Sequence, residues 1–241
     1  MMSAGIQNMK AAAVIVAAGR GTRMGGSVDK IFLEVAGAPI IIHTWRRFEK
    51  IDSIRKIILV IRSGLEDKFH ALAKEYGIKK PFTLVHGGAE RQDSVWNGLS
   101  QVEEEFELTA IQDGARPCTP PEVIEQALSE AQKYGAAVLA QRVTDTIKES
   151  ADGFKVDRTL ERSRLWAVQT PQVFRTKIIK KAILEAINRN LKLTDDTAAC
   201  EMIGQEVRLV PCLRPNPKAT NPSDLPYIEM LLKGEEGTLE E

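Results

Sequence analysis

The sequence predicts an α/β fold: a mostly parallel sheet with helices on both faces and a β-arm projecting from it. Three observations predict it. Short runs rich in Val, Ile and Leu recur along the 241 residues, each bounded by Gly, Pro or charge. Stretches of helical length lie between them. The runs are mostly apolar and alternate with those helices, as in a parallel sheet covered on both faces.

The elements follow in order. The first strand is "AAAVIVA" at 11–17, and a glycine-rich turn comes after it. A helix is expected at about 38–50, before the strand "KIILVI" at 56–61. A second helix at 65–76 precedes "FTLVHG" at 82–87, and a third at 91–104 precedes "LTAIQD" at 108–113. The fourth helix, at 120–133, has a marked start in "CTPPEV". Thr119 is placed to cap it, prolines occupy the first turn, and Glu122 completes a T-x-x-E capping box. The strand "AAVLAQ" at 136–141 follows. This alternation makes the fold Rossmann-like.

After 141 the rhythm breaks. "RVTDTIKESADGFKVDRTLERSRLWAV" holds two short β-like pieces around "ADG", a hairpin signal in a stretch too polar for a central strand. Residues 141–165 therefore read as an arm inserted in a single domain spanning 1–241, and such an arm can meet a second subunit. Helices are expected again at about 175–189 and 195–203. A strand "EVRLV", a helix from Pro222 to about Leu232 and a loose tail "GEEGTLEE" complete the chain.

Composition narrows the function. Lys+Arg and Asp+Glu both number 33, so no overall positive field marks a nucleic-acid binder, and any positive site must be local. The runs "AAAVIVAAG" and "PIII" are too short to cross a bilayer, so no membrane partner is expected. The start "MMSAGIQNMK" lacks the apolar core of a secretion signal. Cys118, Cys200 and Cys212 form no C-x-x-C pair. That count argues against a disulfide framework and fits a reducing cytoplasm.

The turn after the first strand carries the strongest chemical signal. In open α/β sheets ligands bind beyond the carboxyl ends of strands. Glycines there let backbone N–H groups converge on an anion, and Arg20, Arg23 and Lys30 add positive charge. A polyphosphate is the natural guest. Glycines fall at 19, 21, 25 and 26, so Met24 breaks the dinucleotide pattern G-x-G-x-x-G and disfavours a dinucleotide-dependent oxidoreductase. Asp29 before Lys30 breaks the Walker pattern.

"AAGRGTRMGGSVDK" resembles the "AAGxGxRM…K" signature of cytidylyltransferases acting on sugar and polyol phosphates. "GGAERQDSVWNGL" at 87–99, "QDGARP" at 112–117, "DTIK" at 145–148 and "LWAVQTPQVF" at 165–174 match in order, with "LTDDTAACE" and "KATNPSDL" after them. The chain is most similar to the 2-C-methyl-D-erythritol 4-phosphate cytidylyltransferases of the non-mevalonate isoprenoid pathway. The ribitol-5-phosphate cytidylyltransferases share the loop and the "TPQ" motif, while "DGARP" favours the first group. A CTP-binding regulator without catalysis would be marked by loss of Lys30, Asp113 or Lys218, and all three are present.

The resemblance implies a Mg²⁺-dependent reaction that joins CTP to a polyol phosphate and expels pyrophosphate. The attacking oxygen already belongs to a phosphate, so positioning and electrostatic stabilisation dominate over base catalysis. It implies that Arg23, Lys30, Lys218 and Arg162 stabilise the reacting phosphates. Ala17, Ala18, Gly19, Gly21, Gly88, Ala89 and Ser94 would bind the nucleotide, Gly87 and Gly88 by allowing close backbone approach. Asp113, Arg116, Thr146, Arg162, Thr170 and Lys218 would bind substrate, with Asp113 also holding the metal. Thr146 and Arg162 would come from the neighbouring subunit of a homodimer, with Arg164 an alternative to Arg162.

Several positions read both ways. Arg91 and Asp93 serve equally as a helix start. Asp195 and Asp196 after Thr194 suit either capping or substrate. His86 has no visible partner and reads as structural. Gln112 stands where the family often has histidine, which implies a changed setting behind Asp113. Pro217 and Ala219 flank Lys218 in place of bulkier apolar residues. The family usually has proline at position 29; Asp29 puts a negative charge beside Lys30 that pins it or offsets its field.

Overall fold

The computed structural model describes residues 9–19 and 29–237. Strand β1 (Ala11–Val16) is followed, after a 3-10 turn at Lys30–Phe32, by the short pair β2 (Glu34–Val35) and β3 (Ala38–Pro39) and by helix α1 (Ile40–Glu49). Then come β4 (Ile54–Ile61), α2 (Glu66–Glu75), β5 (Phe82–His86), α3 (Arg91–Ser100), β6 (Leu108–Asp113), α4 (Pro121–Tyr134) and β7 (Ala136–Arg142). The arm carries β8 (Lys148–Glu149) and β9 (Arg158–Thr159), and the chain returns through β10 (Trp166–Arg175). Helices α5 (Thr176–Asn188) and α6 (Asp196–Met202), strand β11 (Arg208–Pro211) and helix α7 (Leu225–Gly237) complete the order.

The main sheet runs β11-β7-β10-β6-β1-β4-β5. Alternation along β1 explains its central place. Ala11, Ala13 and Ile15 join the core under α1, α2 and α4, while Ala12 and Val14 join the core under α3, α5 and α6. Small residues on both faces let helices approach closely. Among the described residues, no helix is long and apolar enough to cross a membrane.

Strand β10 is the element the apolar pattern does not reveal. It lies inside the sheet, antiparallel to both β6 and β7. Pro171 and the glutamines on either side of "TP" argue against a central strand. The ladder to β7 accommodates them by a register shift between Val168 and Gln172, and the Thr170–Pro171 peptide is cis. The sheet is therefore mixed, with every other pairing in it parallel.

Two local expectations are corrected. Thr119 does not cap α4: Pro120 is the N-cap residue, and Thr119 is fully buried and hydrogen-bonded to Gln112, Arg116 and Asn216. His86 has a partner, because its Nε2 meets the Glu66 carboxylate at the start of α2. The arm's β8 and β9 form a short antiparallel sheet of their own on either side of the "ADG" stretch, as expected. The three cysteines are free thiols and all are buried, which pushes Cys118 and Cys200 up to about 12.

Candidate active site

Parallel strands β1, β4, β5 and β6 end at the same edge of the sheet. Val16 sits opposite Asp113 in the ladder, Ala17 N–H donates to the Val60 carbonyl at 2.8 Å, and Gly114 N–H donates to the Val16 carbonyl at 2.9 Å. A cleft of about 630 Å³ opens there. Ala17, Ala18 and Gly19 line it from the turn after β1, and Gly88, Ala89 and Ser94 line it from the turn into α3. At Gly88 a side chain cannot be accommodated: an added Cβ would lie 2.2 Å from Asp93 Cβ. Ser94 Oγ accepts the Gly88 N–H at 3.1 Å, which sets that turn against the helix.

Charge converges on Asp113. Lys218 Nζ is 2.7 Å from its Oδ2, Arg91 Nε is 3.4 Å from its Oδ1, and Arg116 Nε is 3.6 Å from its Oδ2. Burial alone would raise this carboxyl. Lys218, then Arg91 and Arg116, overcome that and hold its pKa at about 2. Asp113 is thus an anion inside a set of cations, and the cleft lining includes Lys30, Arg91 and Lys218. Lys30 donates to the Ala219 carbonyl at 3.0 Å, which brings it to the loop that carries Lys218.

A buried polar network fixes this arrangement from behind. Thr170 Oγ1 accepts the Asp113 N–H at 3.1 Å, so the bulged part of β10 holds the end of β6. Arg116 donates to the Asn216 carbonyl at 2.7 Å, and the Asn216 amide donates to Gln169 and to the Thr170 carbonyl. Gln112, fully buried, donates to Thr119 at 3.0 Å. Arg116 and Thr170 consequently stand behind the carboxylate and are absent from the cleft lining.

Arg91, which reads from the sequence as either a site residue or a helix start, lines the cleft. Its guanidinium binds both oxygens of Asp196 at 2.9 and 2.8 Å while also reaching Asp113. Burial works against its charge, but Asp196 and then Asp113 outweigh it and hold the pKa above the ordinary arginine value. The sequence does carry a signal for it: a cation in the first turn of a helix opposes the helix dipole and calls for an acid nearby. The acidic pair divides its work. Asp195 caps α6 by accepting the Ala198 N–H at 2.9 Å, and Asp196 holds Arg91. Asp93 completes a capping box with Glu90. Arg62, absent from the expected site, lines the cleft too.

The other expected residues lie elsewhere. Arg20, Gly21 and Arg23 fall outside the described residues. Thr146 and Arg162 are exposed on the arm and do not line the cleft, and Arg162 donates to the Thr144 carbonyl at 2.7 Å. The Asp29 carboxylate pairs with Arg62, and Lys30 acts on it more weakly than Arg62 does.

A family model for 2-C-methyl-D-erythritol 4-phosphate cytidylyltransferase matches residues 11–234. The chain belongs to the 2-C-methyl-D-erythritol 4-phosphate cytidylyltransferase family. A member of that family from Bacillus velezensis is 43% identical over 230 residues, covering 95% of this chain and 98% of the relative. One from Pelotomaculum thermopropionicum is 41% identical over 234 residues, covering 96% and 98%. Among solved structures, the 4-diphosphocytidyl-2C-methyl-D-erythritol synthase of Anaerococcus prevotii superposes with a TM-score of 0.84 at 29% identity, covering 95% of this chain and 98% of that one. The matched span contains β1 to β11, and with them the cleft of this cytidylyltransferase-family chain.

Proposed function

We propose that the chain transfers a cytidylyl group from CTP to 2-C-methyl-D-erythritol 4-phosphate and releases pyrophosphate, a step of the non-mevalonate isoprenoid pathway. One observation carries this reading within the family: an ionised Asp113 ringed by Lys218, Arg91 and Arg116 at the edge of a glycine-lined cleft.

The chemistry follows from that arrangement. A phosphate oxygen of the polyol phosphate attacks the α-phosphorus of CTP. The bond from that phosphorus to the bridging oxygen of the β-phosphate breaks, and pyrophosphate leaves with the electron pair. Neither partner needs a strong base. The barrier is repulsion between anions and charge growing on the leaving group. Lys30 and Lys218 offer compact ammonium groups at the cleft, and Arg23 is the further cation implied by the loop. The backbone of Gly88 and Ala89 and the hydroxyl of Ser94 suit the cytidine, with Ala17, Ala18, Gly19 and Gly21 along the triphosphate. Thr170 and Arg116 position Asp113, and Asp113 with Lys218 meets the substrates.

Asp113 also suits a hard divalent cation. Mg²⁺ is commonly held by one or two carboxylates plus substrate phosphates, and this carboxylate is ionised at any physiological pH. Among the described residues there is no cluster of three or more acids, His or Cys, so phosphate oxygens and water would complete its shell. Bound there, Mg²⁺ would withdraw charge from the triphosphate.

The reading extends to a single folding unit whose arm joins two copies, so that Thr146 and Arg162 of one act on the site of the other. It extends to a cytoplasmic protein that binds no nucleic acid, which the balanced charge supports. The test is direct. Purified protein incubated with CTP, Mg²⁺ and the methylerythritol phosphate should release pyrophosphate, and omission of Mg²⁺ should abolish it. A higher kcat/KM for ribitol 5-phosphate would overturn the choice of acceptor. CTP binding without turnover on either acceptor would overturn the catalytic reading.

A further inference from the structure

Lys218 depends on an irregular segment for its place. Residues 212–221, between β11 and the 3-10 turn at Pro222–Asp224, belong to no helix or strand. The Lys218 side chain is 36% exposed, yet its Nζ stands 2.7 Å from Asp113 Oδ2. A partly exposed ion pair is too weak to order a loop by itself. The segment is held at other points. After Lys218, the Ala219 N–H donates to the Ala115 carbonyl at 2.8 Å, and the Thr220 and Asn221 N–H groups each donate to Asp224 at 2.8 Å.

Before Lys218 the hold is Asn216. It is 2% exposed and absent from the cleft lining. Its Oδ1 accepts the Thr119 hydroxyl at 3.0 Å, and its Nδ2 donates to Gln169 Oε1 at 3.1 Å and to the Thr170 carbonyl at 3.2 Å. A carbonyl only accepts, so Thr170 fixes which way round the amide sits. The Asn216 backbone carbonyl accepts Arg116 at 2.7 Å. Thr170 and Arg116 also stand behind Asp113: the Thr170 hydroxyl accepts the Asp113 N–H, and Arg116 Nε lies 3.6 Å from the carboxylate. One buried residue thus fastens the lysine's loop to the same groups that fasten the carboxylate.

We propose that Asn216 is a positioning residue for the transfer: docked on Thr119, Gln169 and Thr170, it sets the loop of Lys218 in register with Asp113 and so holds the Lys218 ammonium where the reacting phosphates meet it. The proposal rests on the cytidylyl-transfer reading above. Asn216 acts through Lys218, from behind the cleft.

The experiment is a set of variants assayed for kcat and for KM toward CTP: Asn216→Ala, Thr119→Val, Lys218→Ala, and each of the first two combined with Lys218→Ala, with enough enzyme to read the residual rates. Asn216→Ala is expected to lower kcat about thirtyfold with a smaller change in KM, and Thr119→Val, which removes the hydroxyl that Oδ1 accepts, about threefold. In the Lys218→Ala background either is expected to add almost nothing. A wild-type kcat in Asn216→Ala, or losses that multiply in the Lys218→Ala background, would overturn the proposal. The second result would show that Asn216 serves other groups than Lys218. Thr119→Val keeps the shape of the site and reads the same coupling where Asn216→Ala does not fold. Acylation of lysines by an N-hydroxysuccinimide ester, followed by peptide mass spectrometry, supplies a readout that needs no turnover. A lysine held against a carboxylate is shielded from the reagent, so Asn216→Ala should speed labelling of Lys218 about fivefold and leave that of Lys10, just before β1, unchanged. That result supports the placement of Lys218 by Asn216 even where the wild type releases no pyrophosphate and the transfer reading falls. An unchanged labelling rate at Lys218 would overturn the proposal whatever the kinetics.

Discussion

At the residue scale the site is a problem in placing charge. Lys30 touches the Ala219 carbonyl and stands at the cleft, and in the proposed transfer its cation would matter most as charge moves to the leaving group. Lys30→Ala should therefore reduce kcat by about a hundredfold or more while KM for CTP changes severalfold, as steady-state kinetics would show. Equal kcat with only a raised KM would mean that it serves binding alone. Asp113 makes a different prediction, about stability. Its pKa falls from the ordinary 3.8 to about 2 on folding, so its ionised form favours the fold. That contribution is complete above the unfolded value and is lost as pH falls toward the folded one. Asp113→Asn should cost about 2 kcal/mol near neutral pH, since each tenfold change in acidity on folding is worth about 1.4 kcal/mol. The gap to wild type should then close between about pH 4 and pH 2. Urea unfolding at several pH values reads it directly, and a gap that persists unchanged into acid would refute the assignment. Much of this site was legible: Gly19 at the head of the glycine turn, Lys30, Asp113, Ser94 and Lys218 all meet in one cleft. Arg62 was not, and Arg91 was left open, because each is defined by an acid distant in sequence, Asp29 and Asp196 respectively.

At the element scale, helix α3 must lie close to the sheet to aim Arg91 and Ser94 at the cleft. Gly98 makes this possible. A Cβ there would fall 2.5 Å from Val14 Cγ1 and 2.8 Å from Val60 Cγ2, and both valines sit in the core shared by β1, β4 and α3. Gly98→Ala would gain about 1 kcal/mol of helix propensity and lose about 1–3 kcal/mol to overpacking. A net loss of about 1 kcal/mol is expected in chemical denaturation, and Val14→Ala added to it should show favourable coupling, since it removes the nearer of the two clashing methyls. A gain in stability from Gly98→Ala alone would show that the helix can shift outward freely. Such packing also explains what the sequence revealed. Strands β1, β4, β6 and β7 bury aliphatic residues on both faces and announce themselves as Val-, Ile-, Leu- and Ala-rich runs. Strand β10 is equally central but is recruited for polar work: Gln172 accepts the Asp196 and Thr197 N–H groups, and Thr170 holds Asp113. Side chains selected for buried hydrogen bonds hide the strand that carries them.

At the scale of the whole molecule, the cleft accounts for one substrate better than for two. Its cations and its glycine turns suit a nucleoside triphosphate, whereas Thr146 and Arg162 stand exposed on the arm, away from the lining. The same arm presents Phe154 and Val156 to solvent, at 96% and 59% exposure. Exposed apolar residues on a projecting hairpin are what a second copy would cover. If two chains exchange arms, each complete site combines the cleft of one with Arg162 of the other, and defects in the two parts must complement. Lys218→Ala spoils the cleft and Arg162→Ala spoils the arm, so each alone should be nearly inactive. Co-expressed in equal amounts, half the dimers would be mixed, and one site in each mixed dimer would unite an intact cleft with an intact arm. Activity of about one quarter of wild type is then expected in the pyrophosphate assay. A site built within one chain gives no recovery at any ratio, because every cleft would remain joined to a damaged part. A dimer formed through another surface gives the same silence, so recovery would identify both the partner and the element that crosses to it.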